Sequence, residues 1–195
     1  MTRQQKIILA SSSPYRSALL GRFRLEFEVA SPAIDETPEP REPAENLVLR
    51  LAMAKAEAVA KTRQNVLIIA ADQVARLGDT LLGKPGNRDN ARSQLKAMRG
   101  RTVSFINGLC VLNTVNRHCQ TAIIIYNVSF RDYSDSEIER YLDLDAPFDC
   151  AGSFKSELMG VTLMEKMQGD DPTALVGLPL IKLAAMLRQE GVELP

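Results

Sequence analysis

An aspartate that follows a buried apolar run is the first candidate for chemistry in this sequence. Asp72 comes directly after the apolar segment 66–71, which predicts a strand buried on both faces of a sheet. Ligands of open α/β sheets bind at such strand ends. We therefore predict that Asp72 lies at the edge of the core, where its carboxylate could position water or a divalent cation. The alternative is an ordinary turn-forming aspartate.

A second carboxylate and a loop lysine are weaker candidates for the same site. Glu36 lies in the Pro- and Glu-rich segment 31–43, and Lys84 lies in the Gly-containing loop 83–87. Glu36 could share a cation with Asp72, and Lys84 could neutralise a phosphate. The alternatives are a solvated acidic loop and an ordinary loop lysine.

Three serines and an arginine mark the start of a predicted helix. Pro14 suits the first helical position and Ser13 the N-cap. Arg16 then falls in the first turn, where the helix dipole makes a cation unfavourable by about 0.3–1 kcal/mol. One interpretation is that the free helix N–H groups, the hydroxyls of Ser11, Ser12 and Ser13, and Arg16 together bind phosphates. The other is a plain Ser-Pro helix cap with a solvated arginine.

A lysine interrupts the apolar face of the helix predicted over 44–61. Five residues share this face at the spacing i, i+3, i+4, i+7 and i+11, namely Val48, Leu51, Ala52, Lys55 and Val59. Lys55 could direct a buried ammonium at a carboxylate or a phosphate. It could equally extend its charged end to water along the apolar surface.

The remaining pattern predicts one α/β domain over 1–195, with a mixed sheet flanked by helices. Strands are predicted at 6–10, 27–30, 66–71, 102–112 and 121–130, with a hairpin over 74–82. Helices are predicted from 14 to about 22, at 44–61, around 91–98, from a capping box at Ser134 and Glu137 through 144, and at 179–189. The runs 102–112 and 121–130 flank a polar turn, which predicts antiparallel pairing.

Composition excludes several function classes. Lys plus Arg equals Asp plus Glu at 24 each, so there is no global field to attract nucleic acid or an anionic membrane. Three cysteines and the single His118 argue against a disulfide framework, a histidine triad and a histidine-ligated metal. The sequence shows no signal-peptide core and no apolar run of membrane-spanning length. We expect a cytoplasmic protein with reduced thiols.

Taken together, the motifs resemble those of the Maf family of nucleoside triphosphate pyrophosphatases, in the family's order along nearly the whole chain. The matching segments are Ala10-Ser-Ser-Ser-Pro-Tyr-Arg16, Asp35-Glu36-Thr37, Ala54-Lys55-Ala56, Asp72-Gln73-Val74, Gly83-Lys84-Pro85, Ala151-Gly152-Ser153-Phe154 and Val176-Gly-Leu-Pro179. The resemblance implies a fold like that of the inosine triphosphate pyrophosphatases, a divalent cation such as Mg²⁺ or Mn²⁺, and a homodimer. Asp72 matches the catalytic aspartate, a proton acceptor. Arg16, Glu36, Lys55 and Lys84 match other polar active-site positions.

Three positions distinguish the branches of this family. In the branch that acts on thymidine and uridine triphosphates, these positions hold an arginine, a threonine and a glutamine. This chain has Tyr15, Gln73 and Glu157, and so resembles the branch that hydrolyses 7-methyl-GTP. The chain departs from that branch in having tyrosine rather than tryptophan at position 15, and in Ala70, Ala71 and Leu158.

The chemistry of the base agrees with this resemblance. The ring of 7-methylguanine is cationic and gains about 0.5–2 kcal/mol by stacking on an aromatic face such as that of Tyr15. Its N1–H and N2–H₂ groups point in parallel and match the two oxygens of the Glu157 carboxylate. Uracil and thymine offer one N–H between two carbonyl oxygens, which a carboxylate repels. Two alternatives stay open: a broader pyrophosphatase for standard or other modified nucleotides, and a nucleotide-binding regulator of cell division.

Overall fold

The computed structural model describes residues 5–195. The strands are β1 (Lys6–Ala10), β2 (Phe27–Ala30), β3 (Val66–Leu77), β4 (Thr80–Leu82), β5 (Thr102–Asn113), β6 (Cys119–Phe130) and β7 (Met164–Gln168). The helices are α1 (Pro14–Gly21), α2 (Ala44–Ala60), α3 (Arg88–Met98), α4 (Asp135–Asp145) and α5 (Leu180–Gln189). Short 3-10 segments lie at Ala151–Ser153, Met159–Leu163 and Pro172–Val176.

The strands form a single mixed sheet in the order β2-β1-β3-β5-β6-β7, with β4 paired to β3. Strand β1 lies between β2 and β3 and runs parallel to both. The pairs β3–β4, β3–β5, β5–β6 and β6–β7 are antiparallel. The predicted α/β fold with a mixed sheet flanked by helices is therefore confirmed, as are the hairpin and the antiparallel pairing of β5 with β6.

The prediction that Asp72 ends its strand is wrong. The strand continues to Leu77, and Asp72 is paired with Gly108 in a ladder that extends to Arg76 opposite Ser104. The turn preference of aspartate is overridden because β5 offers hydrogen-bond partners along this whole length. The parallel partner β1, in contrast, ends at Ala10. Asp72 therefore still lies just beyond the carboxyl end of a parallel strand, although its own strand continues.

Helix α2 covers the face of the sheet on which Asp72 lies. Its residues Ala52 and Ala56 pack against Ile68 of β3 and Cys110 of β5. At Gly108 the approach is so close that a Cβ atom would lie 2.2 Å from the Val48 carbonyl oxygen. Because Gly108 is the cross-strand partner of Asp72, the missing side chain lets α2 come down onto the sheet beside that carboxylate.

The opposite face is covered by α1 and α5, and a third cluster lies under α3 and α4 around Phe105, Phe130 and Tyr133. The capping box predicted at Ser134 and Glu137 is present. Strand β7 and the 3-10 segments were not predicted from the sequence. Strand β7 is mostly exposed, so its residues carry no buried-face alternation that would reveal a strand.

No helix within residues 5–195 combines the length and the apolar character that crossing a bilayer requires.

Candidate active site

A cavity of about 620 Å³ opens beside the carboxyl end of β1, between α1, α2 and the segment 149–157. All of the side chains predicted to form the site line it: Ser11, Ser13, Tyr15, Arg16, Glu36, Lys55, Asp72, Gln73, Lys84 and Glu157. They come from separate parts of the chain and are brought together by the parallel strands and the loops that follow them. The structure thus gathers the predicted residues, while their individual roles stay predictions.

Lys55 bridges two carboxylates in this cavity. Its Nζ lies 2.5 Å from Asp72 Oδ1 and 2.7 Å from Glu36 Oε1. Lys55 is 6% exposed and Asp72 is 7% exposed, so this ion pair is largely shielded from water. The alternative in which Lys55 extends its ammonium to solvent is wrong, because its partners are inside the cavity. We call Asp72, Lys55 and Glu36 the carboxylate cluster.

The cations of the cavity keep Glu36 ionised. Partial burial opposes ionisation of this carboxyl, but the hydrogen bond and charge of Lys55, with the charges of Lys84 and Arg16, outweigh burial and lower its pKa. Burial lowers the pKa of Arg16, and the charges of Asp72 and Glu36 oppose that change. An arginine remains protonated at neutral pH despite such a shift.

The start of α1 holds Arg16 in place. The Ser13 side chain caps the helix by accepting from the Arg16 N–H at 3.4 Å. The guanidinium donates from Nε to the Gly177 carbonyl oxygen at 2.9 Å, and its Nη1 lies 3.5 Å from Ser11 Oγ. Ser13 is therefore an N-cap, as predicted. Arg16 is a cation at the positive end of the helix dipole, and its contacts with Gly177 and Ser11 explain why it is tolerated there. The alternative interpretation, a solvated arginine, is wrong.

Gln73 faces away from Asp72, since neighbouring residues of a strand point to opposite faces. Its Nε2 donates to the carbonyl oxygens of Ala174 and Leu175 at 2.8 Å and 3.2 Å. These bonds hold the 3-10 segment that leads to Gly177, the acceptor of Arg16. The amide donors of Gln73 are thus already used within the protein.

Tyr15 is fixed by two charged residues of the segment 149–157. Its hydroxyl lies 3.1 Å from Asp149 Oδ2 and 3.4 Å from Oδ1. The Lys155 ammonium lies 5.7 Å from the centroid of the ring, within the range of a cation–π contact. Burial, together with Cys150 and Asp149, raises the pKa of Tyr15, so its phenol stays protonated and can donate. We call Tyr15, Asp149 and Lys155 the tyrosine cluster.

Glu157 and Lys84 are exposed members of the site, as is Glu36. Among residues 5–195, the one hydrogen bond to the Glu157 carboxylate is from Ser156 Oγ, at 3.3 Å. Both carboxylate oxygens therefore remain accessible to a ligand. Lys84 contributes its charge to the ionisation of Glu36.

The carboxylate cluster is suited to a divalent cation. Mg²⁺ binds to one or two protein carboxylates and completes its shell with phosphate oxygens and water. Asp72 and Glu36 already converge on one positive charge, the Lys55 ammonium. Within residues 5–195 no group of three or more His, Cys, Asp or Glu side chains is placed to hold a metal by itself. A cation here would complete its shell with oxygens of the substrate and of water.

Comparison with known proteins shows which family this chain belongs to. The family model described as Maf-like protein matches residues 6–190. The chain belongs to the Maf family. It is 54% identical to the 7-methyl-GTP pyrophosphatase of Methylobacillus flagellatus, covering 96% of this chain and 97% of the relative. It is 50% identical to the protein of the same name from Pseudomonas aeruginosa, covering 97% and 98%.

A solved HAM1 protein from Coxiella burnetii is also similar to this Maf protein in part. The two share 17% identity over 67% of this chain and 75% of the other, with a TM-score of 0.49.

The departures noted in the sequence of this Maf protein lie off the cavity wall. Ala70 and Ala71 are fully buried in β3, and Leu158 is 50% exposed; none of the three lines the cavity. Two residues that do line it, Asp149 and Gly177, were not predicted. The signal that could have found Asp149 was its position two residues before the matching segment 151–154.

Proposed function

We propose that this Maf protein is a nucleoside triphosphate pyrophosphatase that hydrolyses 7-methyl-GTP to 7-methyl-GMP and pyrophosphate. The observation that carries the proposal is the contact of the buried Lys55 with the buried Asp72 and the exposed Glu36, in a cavity that Arg16 and Lys84 also line. A protein that only bound an anion would gain little from two carboxylates beside it. The names of the relatives from Methylobacillus flagellatus and Pseudomonas aeruginosa support the substrate.

The cationic side chains account for binding of the triphosphate. Arg16, Lys55 and Lys84 neutralise its charge, and the Ser11 and Ser13 region at the start of α1 adds hydroxyl and backbone donors. Arg16 is already oriented by its bond to Gly177. This pre-organisation reduces the entropy lost when the triphosphate is fixed for in-line attack.

Asp72 is proposed as the proton acceptor. Water attacks the α-phosphorus, Asp72 takes up its proton, the bond from the α-phosphorus to the bridging oxygen breaks, and pyrophosphate leaves with the electron pair of that bond. Lys55 holds the Asp72 carboxylate in one orientation at 2.5 Å. General base catalysis of this type contributes about 10²–10⁴-fold to the rate.

The proposal includes a divalent cation held by Asp72 and Glu36. When bound, it would supply positive charge to the triphosphate oxygens and favour deprotonation of the attacking water. With the two carboxylates neutralised by the cation, the Lys55 ammonium would add its own positive charge toward the triphosphate.

We propose that Tyr15 and Glu157 bind the base of the nucleotide. Gln73 holds the 3-10 segment Pro172–Val176, which borders the same cavity. The ring of Tyr15 offers a stacking surface, and the accessible Glu157 carboxylate accepts the paired N–H groups of a guanine. We infer that this carboxylate excludes uracil and thymine, whose carbonyl oxygens it would repel.

A broader nucleotide specificity is the second candidate. The observation that favours it is the Lys155 ammonium on the Tyr15 ring, because a second cation near the base weakens the advantage of a cationic ring. A nucleotide panel distinguishes the two: comparable kcat/KM for GTP and 7-methyl-GTP would favour the broader enzyme.

The test of the proposed reaction is identification of its first product. Purified protein, 7-methyl-GTP and Mg²⁺ or Mn²⁺ should yield equal amounts of 7-methyl-GMP and pyrophosphate, and excess chelator should abolish turnover. Orthophosphate as the first product, or full activity in chelator, contradicts the proposal.

Three further proposals follow from the family resemblance. We propose that 1–195 is one Maf-like domain, that the protein is cytoplasmic, and that it forms a homodimer. The cytoplasmic location is supported by the odd number of three cysteines, which argues against a disulfide framework. Cell fractionation and sedimentation analysis test location and oligomeric state.

A further inference from the structure

The tyrosine cluster joins the two elements that would recognise the base. Tyr15 lies in the first turn of α1, whereas Asp149 and Lys155 lie 134 and 140 positions further along the chain. Glu157 comes two residues after Lys155. Any contact between Tyr15 and Asp149 therefore sets the distance between the stacking ring and the carboxylate that accepts the base edge.

We infer that Asp149 is a positioning residue for base recognition: it fixes the Tyr15 ring through the phenol hydroxyl and so sets the ring against the segment that carries Glu157. The inference rests on the proposed function. Nothing in the reaction itself uses Asp149, which lies in the cavity wall without contacting the carboxylate cluster.

The geometry constrains the ring in two directions. The hydroxyl lies within hydrogen-bond distance of both Asp149 oxygens, at 3.1 Å and 3.4 Å, which limits swinging of the ring about its Cβ. Lys155 lies against one face of the ring. That lysine is itself held, since its Nζ donates to the Asp145 carbonyl oxygen at 3.0 Å and lies 3.7 Å from Asp149 Oδ1. We therefore assign the other face of the Tyr15 ring to stacking with the nucleotide base.

The charge state of Asp149 agrees with this role. Partial burial opposes its ionisation, but hydrogen bonds from Cys150 and Tyr15 and the charge of Lys155 lower its pKa overall. An ionised carboxylate accepts from a phenol more strongly than a neutral group does. A ring held in advance loses less side-chain entropy when the base stacks on it.

The experiment is a double-mutant cycle of Asp149→Ala and Tyr15→Phe, with the Kd of 7-methyl-GMP measured by calorimetry and KM and kcat measured for 7-methyl-GTP. Phenylalanine keeps the ring and its contact with Lys155 but removes the hydroxyl. We expect each single variant to raise Kd and KM about five- to tenfold with kcat changed less than about twofold. The double variant should be no worse than either single one.

Two further variants serve as controls. Asp149→Asn keeps an acceptor oxygen for the phenol, so most of the affinity should return. Asp143→Ala removes an exposed carboxylate of α4 that pairs with Arg88, and its Kd should equal that of the wild type.

Additive effects in the cycle would overturn the inference, because Asp149 would then act through Lys155 or through general electrostatics. A wild-type Kd in Asp149→Ala would overturn it as well. If the wild type prefers another nucleotide, the cycle is repeated with that nucleotide. Non-additivity there would support the positioning role while the proposed substrate fails, so the two failures are distinguishable.

Discussion

The carboxylate cluster and the tyrosine cluster line the same cavity but differ in burial and in the number of their partners. Lys55 and Asp72 are less than a tenth exposed and are joined to each other and to Glu36. Glu157, beside the tyrosine cluster, is exposed and receives one hydrogen bond from within residues 5–195. The Lys55–Asp72 pair is fixed by the core, whereas Glu36 and the base-recognising Glu157 are carried on exposed segments.

This difference has an energetic reason. A buried carboxylate is tolerated only when it is paired, because desolvation of an unpaired charge costs several kcal/mol. Neither Asp72 nor Lys55 can therefore be changed without affecting the other. An exposed carboxylate such as that of Glu157 is hydrated in the free protein, so it can be exchanged with little effect on folding.

The largest effect is expected at Asp72. Asp72→Asn should lower kcat about 10²–10⁴-fold, because the variant has no proton acceptor at that position. The fold should survive, since Lys55 keeps its ion pair with Glu36. Steady-state kinetics with thermal unfolding check this, and Asp79→Asn in the exposed β3–β4 turn is the control. Turnover near the wild-type rate would remove Asp72 from its proposed role.

Lys55 should matter for stability as well as for activity. Lys55→Met keeps an apolar stem of similar length but leaves Asp72 buried without its cation, which should lower the free energy of unfolding by about 3–5 kcal/mol. Denaturant unfolding measures this change. In the double variant with Asp72→Asn the loss should be smaller, because the buried charge is gone. Equal losses in the single and double variants would show that the pairing is not what stabilises this region.

A substitution at Gly108 tests whether displacing α2 affects the carboxylate cluster without affecting the tyrosine cluster. Gly108→Ala would place a Cβ 2.2 Å from the Val48 carbonyl oxygen and push α2 away from the sheet. We expect a loss of about 3 kcal/mol in stability, and a fall in kcat as Lys55 moves relative to Asp72. The ratio of kcat/KM between 7-methyl-GTP and UTP should be unchanged, because the hydrogen bonds and ion pairs of the tyrosine cluster found within residues 5–195 do not involve α2. A changed ratio would mean that the clusters are coupled.

Glu157 should give the smallest change, and one confined to specificity. Glu157→Gln replaces one acceptor oxygen with a donor, so paired recognition of N1–H and N2–H₂ fails. The preference for 7-methyl-GTP over UTP should fall about tenfold, the value of roughly one charge-assisted hydrogen bond. Unfolding should be indistinguishable from the wild type. An unchanged preference ratio would exclude Glu157 from base selection.

Much of the fold was predictable because its elements carry local signals. The apolar runs of β1 and β3, the capping box at Ser134 and the hairpin turn each depend on residues that are neighbours in sequence. The extension of β3 past Asp72 was not predictable in this way. It depends on the ladder with β5, whose partner residues lie more than 25 positions away along the chain.

The site was predictable as a set of residue types, but its contacts were not. The spacing of Lys55 on an apolar helix face indicated a buried cation, yet both a carboxylate and water were acceptable partners until α2 was placed on the sheet. The same limit applies to Tyr15. Its ring was assigned from the sequence, whereas the bond to Asp149 joins segments that no local pattern relates.

The most direct test of the account is a competition assay in which the wild-type protein receives 7-methyl-GTP and UTP together, with Mg²⁺ present and both monophosphates quantified. The account predicts that 7-methyl-GMP accumulates faster at equal substrate concentrations, by at least about tenfold in kcat/KM. Faster release of UMP would contradict the assignment of Tyr15 and Glu157 to a cationic purine, and with it the proposed substrate.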